Sequence, residues 1–119
     1  MANRVLIVDD SKFSRSTNKK LMESLEYEVI GEAVDGLDGI EKCKELNPDL
    51  IVTDIEMPNL DGIGMIQKIR EFNEDVKIIV VSSVVNSQVI QQAVKFKASV
   101  VKKPIKENRL QNAITLLSR

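Results

Sequence analysis

Short, largely apolar runs alternate with amphipathic segments along the whole chain. The runs at 5–8, 28–33, 50–53, 76–81 and 99–101 have the length of β-strands. The run at 76–81 is continuously aliphatic, which is typical of a strand buried on both faces. Four intervening or terminal segments repeat residues at helical spacing and predict these inward faces: Phe13, Thr17, Leu21 and Leu25; Leu37, Ile40, Cys43 and Leu46; Ile63, Ile66, Ile69 and Phe72; Leu110, Ile114 and Leu117.

Proline and polar residues mark where several helices begin and end. Pro48 ends the second helix, because the residue before a proline disfavours helical backbone. Asp61 is the predicted N-cap of the third helix, and Asn86 that of a fourth helix extending to about Phe96. Five βα units in this order predict an α/β fold, a doubly wound five-stranded parallel sheet with helices on both faces.

The composition is that of one globular domain. The chain has 119 residues, of which 43% are hydrophobic and 29% charged. No apolar stretch approaches the roughly 18 residues of a membrane span, and no secretory signal pattern is present. The lone Cys43 cannot form an internal disulfide, so it predicts a buried apolar role and a cytoplasmic location. The absence of histidine excludes Ser-His-Asp or Cys-His catalysis, histidine zinc sites and an internal phosphohistidine.

The net charge of -1 hides an asymmetry between the two halves of the chain. Residues 1–61 hold 14 acidic and 7 basic residues, whereas residues 62–119 hold 4 acidic and 10 basic ones. The acidic half suits a metal cation. The bases between Lys95 and Arg109 are better explained as a solvated face than as a surface for an acidic partner. Nucleic-acid binding is not expected, since the chain is not basic overall and has almost no aromatic residues for stacking.

Four of the predicted strands end in polar side chains. The first ends in Asp9-Asp10, the third in Asp54, the fourth in Ser82-Ser83 and the fifth in Lys102-Lys103-Pro104. Clustered carboxylates repel one another, and an all-oxygen site favours Mg²⁺ as the cation that removes this penalty. The lysine amine at the end of the fifth strand would suit a phosphoryl group, whose negative charge needs a cation beside it. Helix capping is the alternative role of the acidic pair, although Ser11 is also placed to cap.

Together these residues resemble the receiver domain of two-component response regulators, of the single-domain CheY-like kind. The resemblance covers nearly the whole chain and rests on five motifs: Asp9-Asp10; Asp54; Met57-Pro58 with Asp61-Gly62; Ser82; Lys103-Pro104. It implies the sheet order 2-1-3-4-5, of which CheY is a known example, with the ligand site between strands one and three. It also implies a receiver domain over residues 1–119.

The resemblance implies a role for each site residue. Asp54 is the phosphoacceptor, and the chain catalyses its own phosphorylation and dephosphorylation without being an enzyme. Asp10, Asp54 and the backbone carbonyl of Glu56 bind Mg²⁺ directly, with Asp9 in the outer shell. The ammonium of Lys103 and the hydroxyl of Ser82 stabilise the phosphoryl oxygens. The isomer of the Lys103-Pro104 peptide bond is left open, and Glu56 is predicted to tune the lifetime of the phosphorylated state.

The resemblance also implies partners. Because the chain has no histidine, the phosphoryl donor is expected to be another molecule, and the resemblance implies a sensor histidine kinase or a histidine phosphotransfer protein. The output is contact with a downstream protein on the face formed by helix four, strand five and helix five. No nucleic-acid or membrane partner is expected. A chain ending at Arg119 leaves no room for an output module, unless it is the receiver part of a longer regulator.

Two departures from the receiver pattern lie before and within strand five. Val100 occupies a position where receivers usually carry an aromatic ring that follows the strand-four hydroxyl inward. The family's usual Gly-Ala after the fourth helix is replaced by Phe96-Lys97-Ala98. A lysine at a helix end that often needs φ > 0 implies a changed cap. We therefore expect intact phosphorylation chemistry and a specialised readout.

Three alternatives remain. A phosphatase with an aspartyl-phosphate intermediate shares the Asp, Ser, Lys and Mg²⁺, but its usual second Asp is Glu56 here. A flavodoxin-like FMN carrier would need a phosphate-binding first loop, where Asp9-Asp10 would repel the phosphate. A receiver fold acting as a constitutive binding module is the third alternative, because the strand-five region is atypical.

Overall fold

The predicted architecture is confirmed. The computed structural model describes residues 3–117. The strands are β1 (Arg4–Val8), β2 (Glu28–Ala33), β3 (Leu50–Asp54), β4 (Lys77–Ser82) and β5 (Ala98–Lys102). The helices are α1 (Lys12–Ser24), α2 (Gly36–Leu46), α3 (Gly62–Arg70), α4 (Ser87–Lys95) and α5 (Glu107–Leu117). All strand pairs are parallel, and the sheet order is β2-β1-β3-β4-β5.

The sheet has a separate hydrophobic core on each face. Successive side chains of a strand point to opposite faces, so Leu6 and Ile51 join one core while Val5 and Val52 join the other. The first core is completed by residues of α2, α3 and α4, and the second by residues of α1 and α5. Burial on both faces explains the continuous aliphatic run of β4, which starts at Lys77, one residue later than predicted.

Four predicted core positions were wrong: Phe13, Thr17, Leu37 and Phe72 are all exposed. Phe13 is 81% exposed, Leu37 is 54% exposed and Phe72 is 44% exposed. In α1 the buried positions are Asn18 and Met22, so the inward stripe lies one residue further along the chain than the predicted one. Helix α3 ends at Arg70 before reaching Phe72, whose ring lies outside it.

The helix ends follow the capping signals. Ser11, Asp35, Asp61 and Asn86 cap α1 to α4, and each side chain accepts a hydrogen bond from the backbone N–H three residues on. The predicted N-caps Asp61 and Asn86 are therefore confirmed. Because Ser11 caps α1, capping does not account for Asp9-Asp10. Helix α4 is followed by Lys97 at φ 60°, so this lysine adopts the left-handed backbone that such a helix end often needs, and the changed cap predicted from it is not borne out.

Candidate functional site

The three predicted carboxylates lie together at the carboxyl edge of the sheet. Val8 pairs with Thr53 across β1 and β3, so the acids that follow these residues are neighbours. One oxygen from each of Asp9, Asp10 and Asp54 lies within 4.8 Å of the others. Asp9 is buried and Asp54 half-buried, whereas Asp10 is exposed. The cluster therefore opens to solvent on the Asp10 side.

Asp9 is the most constrained member of the cluster. It is 1% exposed, and its Oδ1 accepts a hydrogen bond from the Ser11 backbone N–H at 2.9 Å. Its Oδ2 is buried without a hydrogen-bond partner among the described residues. Burial raises the pKa of Asp9, and the nearby charges of Asp54 and Asp10 raise this pKa further. Ionised Asp9 is therefore unfavourable unless a cation compensates it.

These features fit a hard divalent cation. The donors are all carboxylate oxygens, and they repel one another when no cation is bound. One of them is buried without a hydrogen-bond partner among residues 3–117. Receiver domains bind Mg²⁺ at an acidic pocket of this kind. Glu56 lies two residues after Asp54 with its side chain exposed. The ligand role of its backbone carbonyl stays a prediction.

Lys103 faces the cluster. Its Nζ lies 3.2 Å from Asp54 Oδ2, in an ion pair that is largely shielded from solvent. The Lys103-Pro104 peptide bond is cis, which answers the question that the sequence left open. The backbone N–H of Lys103 donates to the carbonyl of Ser82 at 2.8 Å, so the ends of β4 and β5 are joined beside the pocket.

Ser82 is buried, but its hydroxyl is engaged with the loop that follows β4. Ser82 Oγ donates to the carbonyl of Val84 at 2.9 Å and accepts from the Val84 N–H at 3.1 Å. Ser83, the alternative at this strand end, is exposed. The structure thus brings the three acids and Lys103 together and holds the Ser82 hydroxyl on the β4–α4 loop.

The β3–α3 loop requires glycine at position 62. A Cβ added to Gly62 would lie 2.1 Å from the carbonyl oxygen of Asp54, and the Gly62 N–H donates to the Ile55 carbonyl at 2.7 Å. The backbone of α3 therefore starts in direct contact with the strand end that carries Asp54. This close approach gives the Asp61-Gly62 motif a structural reason.

Sequence reasoning missed a second support of this loop. Asn59 adopts φ 68°, and its side-chain amide donates to Asp35 Oδ2 at 2.7 Å. The N–H of Gly36 donates to the carbonyl of Leu60 at 2.9 Å. The Asp35-Gly36 pair after β2 was the available signal, since aspartate is a common N-cap.

The region that departs from the receiver pattern is held by an arginine of α3. Arg70 donates to the carbonyls of Phe96 at 2.8 Å, Val76 at 2.7 Å and Lys97 at 3.3 Å. The guanidinium thereby binds backbone oxygens at the end of α4 and the start of β4. Val100 is half-buried and pairs with Val80 in the sheet. No feature of the sequence pattern pointed to Arg70.

The fold and the acidic cluster are those expected of a receiver domain. A family model described as the response regulator receiver domain matches residues 5–115. The chain therefore belongs to this family, whose CheY-like members are phosphorylation-activated signalling switches and not enzymes. Membership excludes the FMN-carrier alternative.

Similar proteins include CheY from Thermotoga maritima, 38% identical over 120 residues and covering all of both chains. CheY from Bacillus subtilis is 36% identical over 115 residues, or 96% of each chain. A chain of the CheX–CheY–BeF3–Mg²⁺ complex from Borrelia burgdorferi has a TM-score of 0.91 at 28% identity, covering 98% of this chain and 89% of that one. The response regulator domain of T. maritima CheB has a TM-score of 0.81 at 38% identity, and the match covers 99% of this chain and 92% of that one.

Two other expectations can be compared with the structure. Cys43 is buried, as predicted. None of the helices within residues 3–117 is long and apolar enough to cross a membrane. The cytoplasmic location inferred from the lone cysteine stays a prediction.

Proposed function

We propose that this chain is a signalling switch in which Asp54 accepts a phosphoryl group from a histidine kinase or a histidine phosphotransfer protein. The observation that carries the proposal is Lys103 Nζ at 3.2 Å from Asp54 Oδ2, beside two further carboxylates. An Asp54 carboxylate oxygen attacks phosphorus, forming a P–O bond. The P–N bond of the donor phosphohistidine breaks, and its electron pair stays on the imidazole, which is protonated.

The side chains around Asp54 have distinct tasks in this transfer. Asp9, Asp10, Asp54 and the Glu56 carbonyl would hold Mg²⁺, which when bound neutralises charge on the phosphoryl group. Lys103 exchanges its contact with the Asp54 carboxylate for one with a phosphoryl oxygen. Ser82 gives up its bonds to Val84 and donates its hydroxyl to another such oxygen. Catalysis is thus mainly positioning and charge stabilisation.

Intact mass spectrometry tests the central step. Incubation with Mg²⁺ and acetyl phosphate is expected to add one phosphoryl group to the wild type and none to Asp54→Asn. Asp75→Asn, which changes an exposed acid outside the cluster, is the matched control and is expected to be labelled normally. Labelling of Asp54→Asn, or no labelling of the wild type, would overturn the assignment of Asp54.

Glu56 is proposed to set the lifetime of the phosphorylated state. Its exposed side chain lies two residues after Asp54, close to the path of an attacking water. The decay rates of phosphorylated wild type and Glu56→Ala are expected to differ, and equal rates would refute this role.

The output surface is proposed to be the face of α4, β5 and α5. Val94 on α4 is 66% exposed and Leu116 on α5 is 61% exposed, which is unusual for large apolar side chains. Lys102 and Arg109 line a groove with Leu116 between β5 and α5. Apolar groups bordered by cations suit a downstream protein whose contact segment carries both apolar and acidic side chains.

Hydrogen exchange separates the switch from the constitutive module. Phosphorylation is expected to change amide exchange in α4, β5 and the β4–α4 loop, since Ser82 must leave Val84. Phosphorylation of Asp54 without any change there would favour the constitutive module. Turnover of phosphomonoesters would instead favour the phosphatase alternative, and we expect none.

A further inference from the structure

Arg15 contacts the acid pair from the first helix. Its side chain is 14% exposed, and its guanidinium donates from Nη1 to the backbone carbonyl of Asp9 at 2.8 Å. Its Nε donates to Glu32 Oε1 on β2 at 3.3 Å. The guanidinium therefore links the start of α1 to the edge of the sheet and to the turn that carries Asp9 and Asp10.

The contact lies on the peptide unit that joins the two acids. The N–H of Asp9 donates to Ala33 in β2, and its Oδ1 accepts from Ser11. The carbonyl of Asp9, held by Arg15, belongs to the same planar unit as the nitrogen of Asp10. Fixing that plane restricts the direction in which the Asp10 side chain leaves the backbone, although Asp10 itself is exposed.

If charge alone mattered, Arg15 would weaken the binding of a cation to the acid pair. A guanidinium next to the backbone of the acid pair repels a divalent ion, so its removal should strengthen binding if only Coulomb forces act. Loss of a group that orients the ligands should weaken binding instead. The sign of the change therefore distinguishes the two roles.

We infer that Arg15 is a positioning residue, whose guanidinium fixes the Asp9–Asp10 peptide so that both carboxylates face the cation that Asp54 shares. The inference rests on the proposed function for its cation. Among residues 3–117, the Arg15 guanidinium bonds to the Asp9 carbonyl and to Glu32 but to none of the three clustered carboxylates, so it acts through the backbone of Asp9.

Mn²⁺ binding to the unphosphorylated protein, followed by electron paramagnetic resonance, tests the inference. Arg15→Met keeps the length of the side chain and removes its donors. It is expected to weaken Mn²⁺ binding about 10-fold, the lower end of the effect of losing an outer-shell partner. Lys12→Met removes an exposed positive charge one turn earlier in α1 and is expected to leave binding unchanged or stronger.

Two further variants separate the carbonyl contact from the ion pair. Arg15→Lys keeps the charge and one donor group, so its affinity is expected to fall between those of the wild type and Arg15→Met. Glu32→Gln removes the carboxylate paired with Nε and is expected to change Mn²⁺ affinity less than twofold, because the pair is long and partly exposed.

A measurement on the metal-free protein reports positioning directly. The Ser11 amide donates to Asp9 Oδ1, so loosening of the turn is expected to accelerate its hydrogen exchange in Arg15→Met but not in Lys12→Met. If Arg15→Met does not fold, Arg15→Gln replaces it with the same expected losses, since its shorter amide does not reach the carbonyl.

The possible outcomes distinguish this inference from the proposed function. Unchanged or tighter Mn²⁺ binding by Arg15→Met would overturn the positioning role and leave the proposed function intact. Unchanged hydrogen exchange of the Ser11 amide in Arg15→Met would also overturn the positioning role and leave the proposed function intact. Failure of the wild type to bind Mn²⁺ would overturn both. Weaker binding together with faster Ser11 exchange would support the inference.

Discussion

The acid pocket beyond β1 and β3 and the connection between α4 and β5 are built on different physical principles. In the pocket, three carboxylates lie together and one lysine supplies the opposite charge. One carboxylate oxygen there is buried and has no hydrogen-bond partner within the described part of the chain. In the α4–β5 connection, Arg70 donates to the carbonyls of Phe96 and Lys97 at the end of the helix. The first region holds unsatisfied charge, whereas the second has its backbone satisfied.

This difference separates chemistry from structure within one small domain. Repulsion in the pocket reduces the stability of the metal-free protein and leaves it ready for a cation, as is common at functional sites. Burial lowers the pKa of Arg70, but its guanidinium is hydrogen-bonded to backbone carbonyls, so its contacts should contribute to stability and not to the chemistry of the pocket. Changes in the pocket should therefore affect phosphorylation first, and changes around Arg70 should affect unfolding first.

Lys103→Ala is expected to have the largest effect. It removes the ammonium at 3.2 Å from Asp54 Oδ2, and loss of one such charge-stabilising group typically slows a reaction by about 100- to 1000-fold. The rate of labelling by acetyl phosphate measures this. Lys102→Ala, at the neighbouring exposed lysine, is the control and should be labelled at the wild-type rate. A small effect of Lys103→Ala would place the stabilising charge elsewhere.

Gly62→Ala tests how closely the pocket depends on its supporting loop. The new methyl group would meet the Asp54 carbonyl at 2.1 Å, and overpacking of this kind costs about 3 kcal/mol. Denaturant unfolding measures the loss. Gly31→Ala is the matched change, because its methyl group would meet the flexible end of Leu46 at 2.6 Å and that of Leu6 at 3.5 Å, and no backbone atom of the described chain beyond its two neighbours lies within 4 Å of it. Equal stabilities of the two variants would contradict the steric argument.

Arg70→Met tests the other region. Loss of hydrogen bonds from a charged donor to four carbonyls is expected to lower the free energy of unfolding by about 2 kcal/mol. The labelling rate of the folded variant should stay at the wild-type value. Lys68→Met, at an exposed lysine of the same helix, should change neither the free energy of unfolding nor the labelling rate. A fall in labelling rate would show that the two regions are coupled.

Asp9→Asn is expected to give the smallest change, with the opposite sign. Burial raises the pKa of Asp9 from 3.8, so the folded protein holds this proton more tightly than the unfolded chain. The stability of the metal-free protein therefore falls as the pH rises from 3.8, the pKa of Asp9 in the unfolded chain, through the higher pKa of Asp9 in the folded protein. The variant should be more stable by about 1 kcal/mol at pH 7 and should lack this dependence. Thermal unfolding from pH 3 to 8 measures both. Lower stability at pH 7 would contradict the burial argument.

The clustering of the acids and Lys103 could be predicted because its members follow from topology. Parallel strands with helical crossovers bring their carboxyl ends to one edge, so Asp9, Asp54 and Lys103 converge whatever the details of packing. The caps at Asp61 and Asn86 were predictable for a similar reason, since their hydrogen bonds are local.

What the sequence alone determined was thus the order of elements, the local caps and the edge at which charged groups meet. Tertiary structure decided which side of α1 is buried, leaving Phe13 exposed and Met22 inside. It also decided that Arg15 binds the Asp9 carbonyl and that Arg70 binds the end of α4. The physical reason is that helix rotation and the Arg70 contact depend on neighbours far away in the chain, whereas capping depends on residues close by. Arg15 is only six residues from Asp9, but its guanidinium is also held by Glu32 on β2, so its contact depends on how α1 packs against the sheet.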